Sequence, residues 1–322
     1  MLARLLLKGL AIEVLLYGIG GWLLWRYAGY SPGFLIGLAV VTLLGIRLVS
    51  VGILCAIGWI YRAERPVERR IDLWQSVRLF GTEWLSMLAL YLFFQPLEPW
   101  LTRPGRHSAG HSTATPILLI HGYTCNAGFW WVLERFLRKR KLNNLFTITL
   151  EPVFGDIDDY ARQVADRVES LCSATGAEQV ILVGHSMGGL VARAYLHRYG
   201  ERNRVAGIIS LGSPHHGSLH ARFALVQARN VEQMSPNNAW LAELNADEDR
   251  NAPVPMVSIY SDHDDLVTPQ TSARLRYNNS KNISVMGVGH LAMAFEPSFH
   301  TVVFEQLSEV LNKTNELPAA QY

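Results

Sequence analysis

The stretch QVILVGHSMGGLVARAYLHRY, residues 179–199, decides how the chain folds. Its opening, Gln179–Val183, is a short continuous apolar run, the pattern of a strand covered on both faces rather than one. Its close, after Gly189, reads as a helix to Tyr199. Between them stands Gly184–His185–Ser186–Met187–Gly188–Gly189, a G-x-S-x-G signature. A nucleophile at a sharp strand-to-helix turn needs small flanking residues, because its own backbone is strained and neighbouring chain passes close by. The same turn aims a helix N-terminus at the reaction centre, where the free N–H groups favour an oxyanion. G-x-S-x-G alone occurs often by chance. Between an apolar strand and a helix it becomes specific.

The same alternation continues on both sides. Upstream, Pro116–His121 reads as a strand, Gly128–Arg140 as a helix, Leu145–Leu150 as a strand and Ile157–Ala174 as a helix. Downstream, Val205–Leu211, Pro255–Tyr260 and Ile283–Val288 read as three further strands, with helices after the last two. Repeated strand–helix–strand units specify a doubly wound, mostly parallel sheet of about six core strands with helices on both faces. The long connection at about 214–251, carrying Phe223, Leu225, Val226, Trp240, Leu241 and Leu244, is expected to be a lid or cap.

Five segments carry a resemblance: LLIHGY at 118–123, VGHSMGGLVAR at 183–193, LGSPHHGS at 211–218, SDHDDLV at 261–267 and GVGHLAM at 287–293. In that order they resemble the bacterial lipases of the α/β-hydrolase superfamily, over residues 115 to 312. The resemblance implies an α/β-hydrolase fold and a Ser–Asp–His triad. Serine needs a base to take its proton. His290, in a Gly-x-Gly-His loop after the last strand, stands where the family places that base. His185 is too close to the nucleophile in sequence, and in the family it packs beneath it. His215, His216 and His220 are expected at the pocket rim. The acid is Asp264 if the family's D-x-x-V pattern ends on Val267, with Asp262 and Asp265 as the alternatives. By the same resemblance, the oxyanion hole uses the backbone N–H groups of Met187 and Tyr123, each worth about 3–4 kcal/mol of barrier.

Residues outside the resemblance are of another kind. Leu5–Tyr27 and Gly33–Tyr61 are apolar stretches long enough to cross a hydrocarbon core of about 30 Å. A short turn-forming connection, Ala28–Pro32, makes them a transmembrane helical hairpin over residues 1–61. Trp22, Trp25, Tyr27, Tyr30, Trp59 and Tyr61 cluster at its ends as interfacial aromatics do. Arg4 and Lys8 precede the first span and Arg62, Arg65, Arg69 and Arg70 follow the second, against Arg26 alone near the turn. That bias puts both ends in the cytoplasm, in a multi-pass protein of a bacterial inner membrane. Within residues 62–115, the run Trp84–Phe94 is too short to span and reads as an interfacial or docking helix, while Thr102–Thr115 reads as a linker. Glu13 and Arg47 fall inside the spans at matching depth and are expected to pair, since a lone ion there is costly.

Composition narrows the partners. The formal net charge is +2 and only 17% of residues are charged, with no basic stripe of the kind that binds nucleic acid. Cys55, Cys125 and Cys172 fit neither a zinc site nor a disulfide framework, and no motif implies a metal or another cofactor. The expectation is a membrane-anchored ester hydrolase with a catalytic domain at 116–322, acting on lipid-like or otherwise apolar esters. The same triad would serve an acyltransferase or thioesterase, and a non-catalytic membrane scaffold is the reading from another class.

Overall fold

The computed structural model describes residues 1–102, 115–200, 203–224 and 226–316. The expected linker and Leu225 therefore lie outside the described residues, the linker but for its ends. Six strands form one sheet: β1 (Ile117–Ile120), β2 (Leu145–Ile148), β3 (Val180–His185), β4 (Val205–Leu211), β5 (Met256–Ser261) and β6 (Lys281–Val285), in the order β2-β1-β3-β4-β5-β6 with every pairing parallel. In β1 and β3 no side chain reaches solvent, because each has helices on both sides. Successive residues therefore enter different cores. Leu118, Ile120, Val180 and Leu182 face one core with α6 (Ile157–Thr175) and α7 (Met187–Tyr199). Ile117, Leu119, Ile181 and Val183 face the other, with α5 (Trp131–Lys139) and α10 (Pro297–Glu316). This is the doubly wound α/β sheet that the strand–helix alternation predicts.

The connection between β5 and β6 departs from that expectation. It holds no α-helix, only a 3-10 turn at Gln270–Ala273. Its residues instead serve as hydrogen-bonding partners: Ser258 Oγ donates to Ala273 O and Gln270 Nε2 to Asp264 O. The 214–251 segment also differs from a free lid. It holds the helices α8 (Arg229–Gln233) and α9 (Ala239–Leu244), and it places Met234, Trp240, Leu241 and Leu244 in the same core as α6 and α7. Among its described large apolar residues, Phe223 and Val226 are the exposed ones.

The N-terminal helices α1 (Leu2–Ala28) and α2 (Pro32–Ile60) form an antiparallel hairpin. Its turn is set by Gly29 at φ 72° and by Ser31, whose Oγ accepts the Phe34 N–H ahead of Pro32 at the first helical position. Glu13 and Arg47 meet as depth matching predicts, in a bidentate pair of 2.9 and 2.7 Å, and Tyr17 donates to the same carboxylate at 2.7 Å. Two helices are long and apolar enough to cross a membrane, Pro32–Ile60 and Leu73–Phe94. The expected first span, Leu5–Tyr27, is helical within α1 but is not one of them. The second contains Trp84–Phe94, which docks on the domain as expected but is the end of a longer helix rather than a short run of its own. Helix α3 (Leu73–Ala89) begins about three turns earlier, at an Asp72/Gln75 capping box, and continues as a π turn to Phe94. It turns Glu83, Ser86 and Leu90 into the sheet domain and leaves Leu73, Trp74, Val77 and Leu85 outside. Gln95 then accepts the Asn126 N–H, and the short α4 (Glu98–Leu101) follows.

Candidate active site

Ser186 joins β3 to α7 with φ 54° and ψ −123°, a conformation that a residue with a Cβ adopts only when its surroundings impose it. They do: its N–H donates to Leu211 O at 2.8 Å, and its carbonyl accepts the Gly189 N–H at 3.1 Å. Of residues 180–195, Ser186 is the one that is not buried. Met187 is the first residue of α7, so its N–H has no acceptor within the helix. The turn that carries Tyr123 lies against the serine, since a Cβ placed on Gly122 would come within 2.9 Å of the Ser186 Cβ. His121 holds that turn. Its Nε2 accepts the Leu150 N–H at 2.9 Å, so its proton is on Nδ1 and is donated to Gly122 O at 2.8 Å. Burial lowers its pKa to about 4 and keeps the ring neutral.

The three aspartates that compete in sequence are separated by their partners. Asp264 Oδ2 lies 2.8 Å from His290 Nδ1, while its Oδ1 accepts the Leu266 and Val267 N–H groups at 2.8 and 2.7 Å. Asp265 Oδ1 accepts the backbone N–H of His290 at 2.9 Å. Asp262 turns outward to Arg69 at 3.1 Å. With Nδ1 donating to Asp264, the Nε2 of His290 is the nitrogen left to take a proton. Burial opposes a charge on this imidazole, but the Asp264 carboxylate outweighs it and leaves the pKa raised. Burial and the Asp264 charge push Asp265 up to about 6. His185 packs under the arrangement, with its ring 4.2 Å from Phe129 and 4.6 Å from His290, and its Nε2 donates to His290 O at 3.2 Å.

Of the remaining histidines, His215 does not line a rim as expected. His215 is fully buried, accepting from Arg193 at Nδ1 and donating from Nε2 to Ser210 Oγ at 2.9 Å. His216 binds Arg274 O, and His220 spans from Thr268 to Leu54 O of α2. His220 thus belongs to a seam between helices and site that the motifs do not reveal. In that seam Gln270 accepts the Ala63 N–H at 3.0 Å while donating to Asp264 O at 2.7 Å. Glu83 of α3 accepts the Leu291 and Ala292 N–H groups directly after His290. An acid inside an apolar run was the available signal for Glu83. Nothing in the order of motifs pointed to its partner.

The sheet order and the site turn define an α/β-hydrolase fold, and comparison with known proteins agrees. The family model described as "alpha/beta hydrolase fold" matches residues 115–239. Among solved structures, Aspergillus fumigatus lipase B superposes with a TM-score of 0.57 at 19% identity, over 64% of this chain and 55% of that one. Mature Bacillus licheniformis lipase BlEst2 superposes at 0.51 and 19%, over 62% and 92%. By sequence, a triacylglycerol lipase of Pseudarthrobacter phenanthrenivorans is 29% identical over 120 residues, 35% of this chain and 37% of that protein. A human 1-acylglycerol-3-phosphate O-acyltransferase is 26% identical over 142 residues, 42% and 38%. The match thus spans about a third of each relative's length. The chain has an α/β-hydrolase fold, with N-terminal helices that lie outside the family match at residues 115–239.

Proposed function

We propose that this chain is a membrane-anchored serine carboxylic-ester hydrolase, a lipase or esterase working through Ser186, His290 and Asp264 on lipid-like or otherwise apolar esters. The observation that carries the reading is the Asp264–His290 contact of 2.8 Å on the same end of the sheet as the strained Ser186 turn. His290 Nε2 takes the Ser186 proton as Oγ attacks the ester carbonyl, and Asp264 holds the imidazolium that forms. The Met187 and Tyr123 N–H groups receive the oxyanion. On collapse, the C–O bond to the leaving alcohol breaks, His290 returns the proton to that alcohol, and Ser186 keeps the acyl group. Water, deprotonated by His290, then attacks the acyl-enzyme and restores the serine. No cofactor takes part.

The anchor belongs to the proposal. Helices α1 and α2 carry large exposed apolar side chains around most of their surface, among them Val14, Leu16, Ile36 and Val41, and a bilayer is the solvent for such a surface. The hairpin occupies residues 1–61, the α3 segment and linker 62–115, and the hydrolase domain 116–322. Both hairpin ends meet the hydrolase domain, so the domain lies on the side of Arg4, Lys8 and Arg62–Arg70, the cytoplasmic side of an inner membrane. Helix α3 rests on the domain through Glu83 rather than crossing. A cavity of about 310 Å³ between α2, α3 and the Asp264 loop, walled by Trp59, Ile71, Leu79 and Phe80, adds apolar lining beside the site.

Labelling of the full chain by a fluorophosphonate, with release of p-nitrophenol from a medium-chain ester, tests the reading. Both are expected, and both should vanish in Ser186→Ala; a protein that takes no label is a scaffold. The similarity to an acyltransferase keeps one second reading, in which an acceptor alcohol replaces water. Transfer of a labelled acyl group to added lysophospholipid faster than to water would select it. A reporter fused after Tyr322 should be active only if it works in the cytoplasm.

A further inference from the structure

We infer that Glu83, supplied by a helix that precedes the hydrolase sheet, is a positioning residue for His290. This rests on the Ser186–Asp264–His290 reading and adds to it a dependence on the N-terminal helices. His290 lies past the end of β6 at Val285, where the chain has no sheet partner, and from His290 on three successive N–H groups need acceptors. The first, of His290 itself, goes to Asp265 Oδ1 at 2.9 Å. Leu291 donates to Glu83 Oε1 at 2.7 Å and Ala292 to Glu83 Oε2 at 3.0 Å. Both oxygens of one carboxyl are thus used on adjacent amides, a task that a single hydroxyl or amide oxygen does not cover. The fit is close on the other side as well, because any Cβ on Gly289 would overlap Glu83 Oε2. The backbone of residues 289–292 is therefore clamped between Glu83 and Asp265, and the imidazole that it carries inherits that placement.

The cost of this arrangement argues against packing as its purpose. Glu83 is 1% exposed, and a buried carboxyl is expensive even when hydrogen-bonded. Burial and the neighbouring Asp265 push its pKa well up, with Asp264 adding to the effect. Cys55 of α2 faces the same acids, its Sγ 3.8 Å from Asp265 Oδ2. A leucine on this helix face would be cheaper if only contact were needed. What a leucine lacks is a pair of acceptors for the two amides.

The test uses the full chain in detergent. Active sites are counted by fluorophosphonate titration, and kcat and KM are measured on a p-nitrophenyl ester. Glu83→Ala should lower kcat per titrated site on the order of 10- to 100-fold, the scale of a displacement of about 1 Å in a catalytic group, with KM changed less than about threefold. Glu83→Gln should recover part of that loss, since it keeps the shape and one acceptor. If the alanine variant does not fold, Glu83→Asp carries the test, because its shorter side chain cannot reach both amides and should cost about tenfold. Unchanged kcat per site in these variants, with Ser186→Ala inactive, overturns the role of Glu83 alone, as does an equal loss in the alanine and glutamine variants. Activity surviving in Ser186→Ala overturns the triad instead, and the role of Glu83 with it.

Discussion

The hairpin of the first sixty residues and the sheet that follows sort the same residue types in opposite directions. In the sheet, every side chain of β1 and β3 is apolar or glycine apart from His185 and is sealed from solvent, and neither strand carries an acid, a lysine or an arginine. In the hairpin, Ile36 and Val41 are each 67% exposed, whereas the ions Glu13 and Arg47 turn inward to each other. Under the proposed anchoring, one region is suited to water around it and the other to hydrocarbon. The difference shows most at their seam, where α3 presents an apolar outer face and a buried acid. A site placed there can be held by polar groups from both regions, as the His290 turn is.

The sharpest way to break this comparison is to remove the chemistry from the sheet side. Ser186→Ala should lower ester turnover by about 10³-fold or more with an unchanged circular-dichroism spectrum. Retention of a tenth of the activity would detach the site from the β3 turn. Asp264→Asn should follow, with kcat down on the order of 10³-fold or more because the imidazole loses the partner that fixes its tautomer. Asp262→Asn should stay within a few-fold, since that carboxylate faces Arg69. Asp265→Asn should fall between them. A larger loss at Asp265 than at Asp264 would mean that backbone clamping, not tautomer control, limits the rate.

On the helical side the expected effects are smaller. Glu13→Gln and Arg47→Gln should each cut the membrane-inserted level several-fold, and the double variant should recover part of it, because an unpaired ion is the costly state. Strictly additive losses would show that the pair does not matter in the assembled hairpin. The smallest effect is on pH. The raised His290 pKa means that the base holds its proton to higher pH, so neutral imidazole accumulates later than for a free side chain. The acidic limb of kcat/KM should therefore have its midpoint above about 6.5, the ordinary imidazole value. A midpoint at or below that would show that burial, not Asp264, governs the imidazole.

By itself the sequence determined whatever depends on local pattern. Apolar runs bounded by Gly184 and Gly122 specify buried strands and turns, and periodicity with length marks the hairpin. Charges at equal depth even pair Glu13 with Arg47. Local pattern alone did not separate Asp262, Asp264 and Asp265, and only the family resemblance favoured Asp264. Three carboxylates within four positions look alike until a fold supplies Arg69, an imidazole and a backbone amide to tell them apart. Local pattern likewise placed a helix after β5 where the chain spends its residues on hydrogen bonds, and set Trp84–Phe94 apart as a run of its own, where the structure has one helix opened by a polar capping box at Asp72. Glu83 and Leu291 are 208 positions apart. Contacts at that separation leave no local signature, since they arise only where packing of the whole chain brings an unsatisfied amide to a buried acceptor. That part of the site was decided by the tertiary structure.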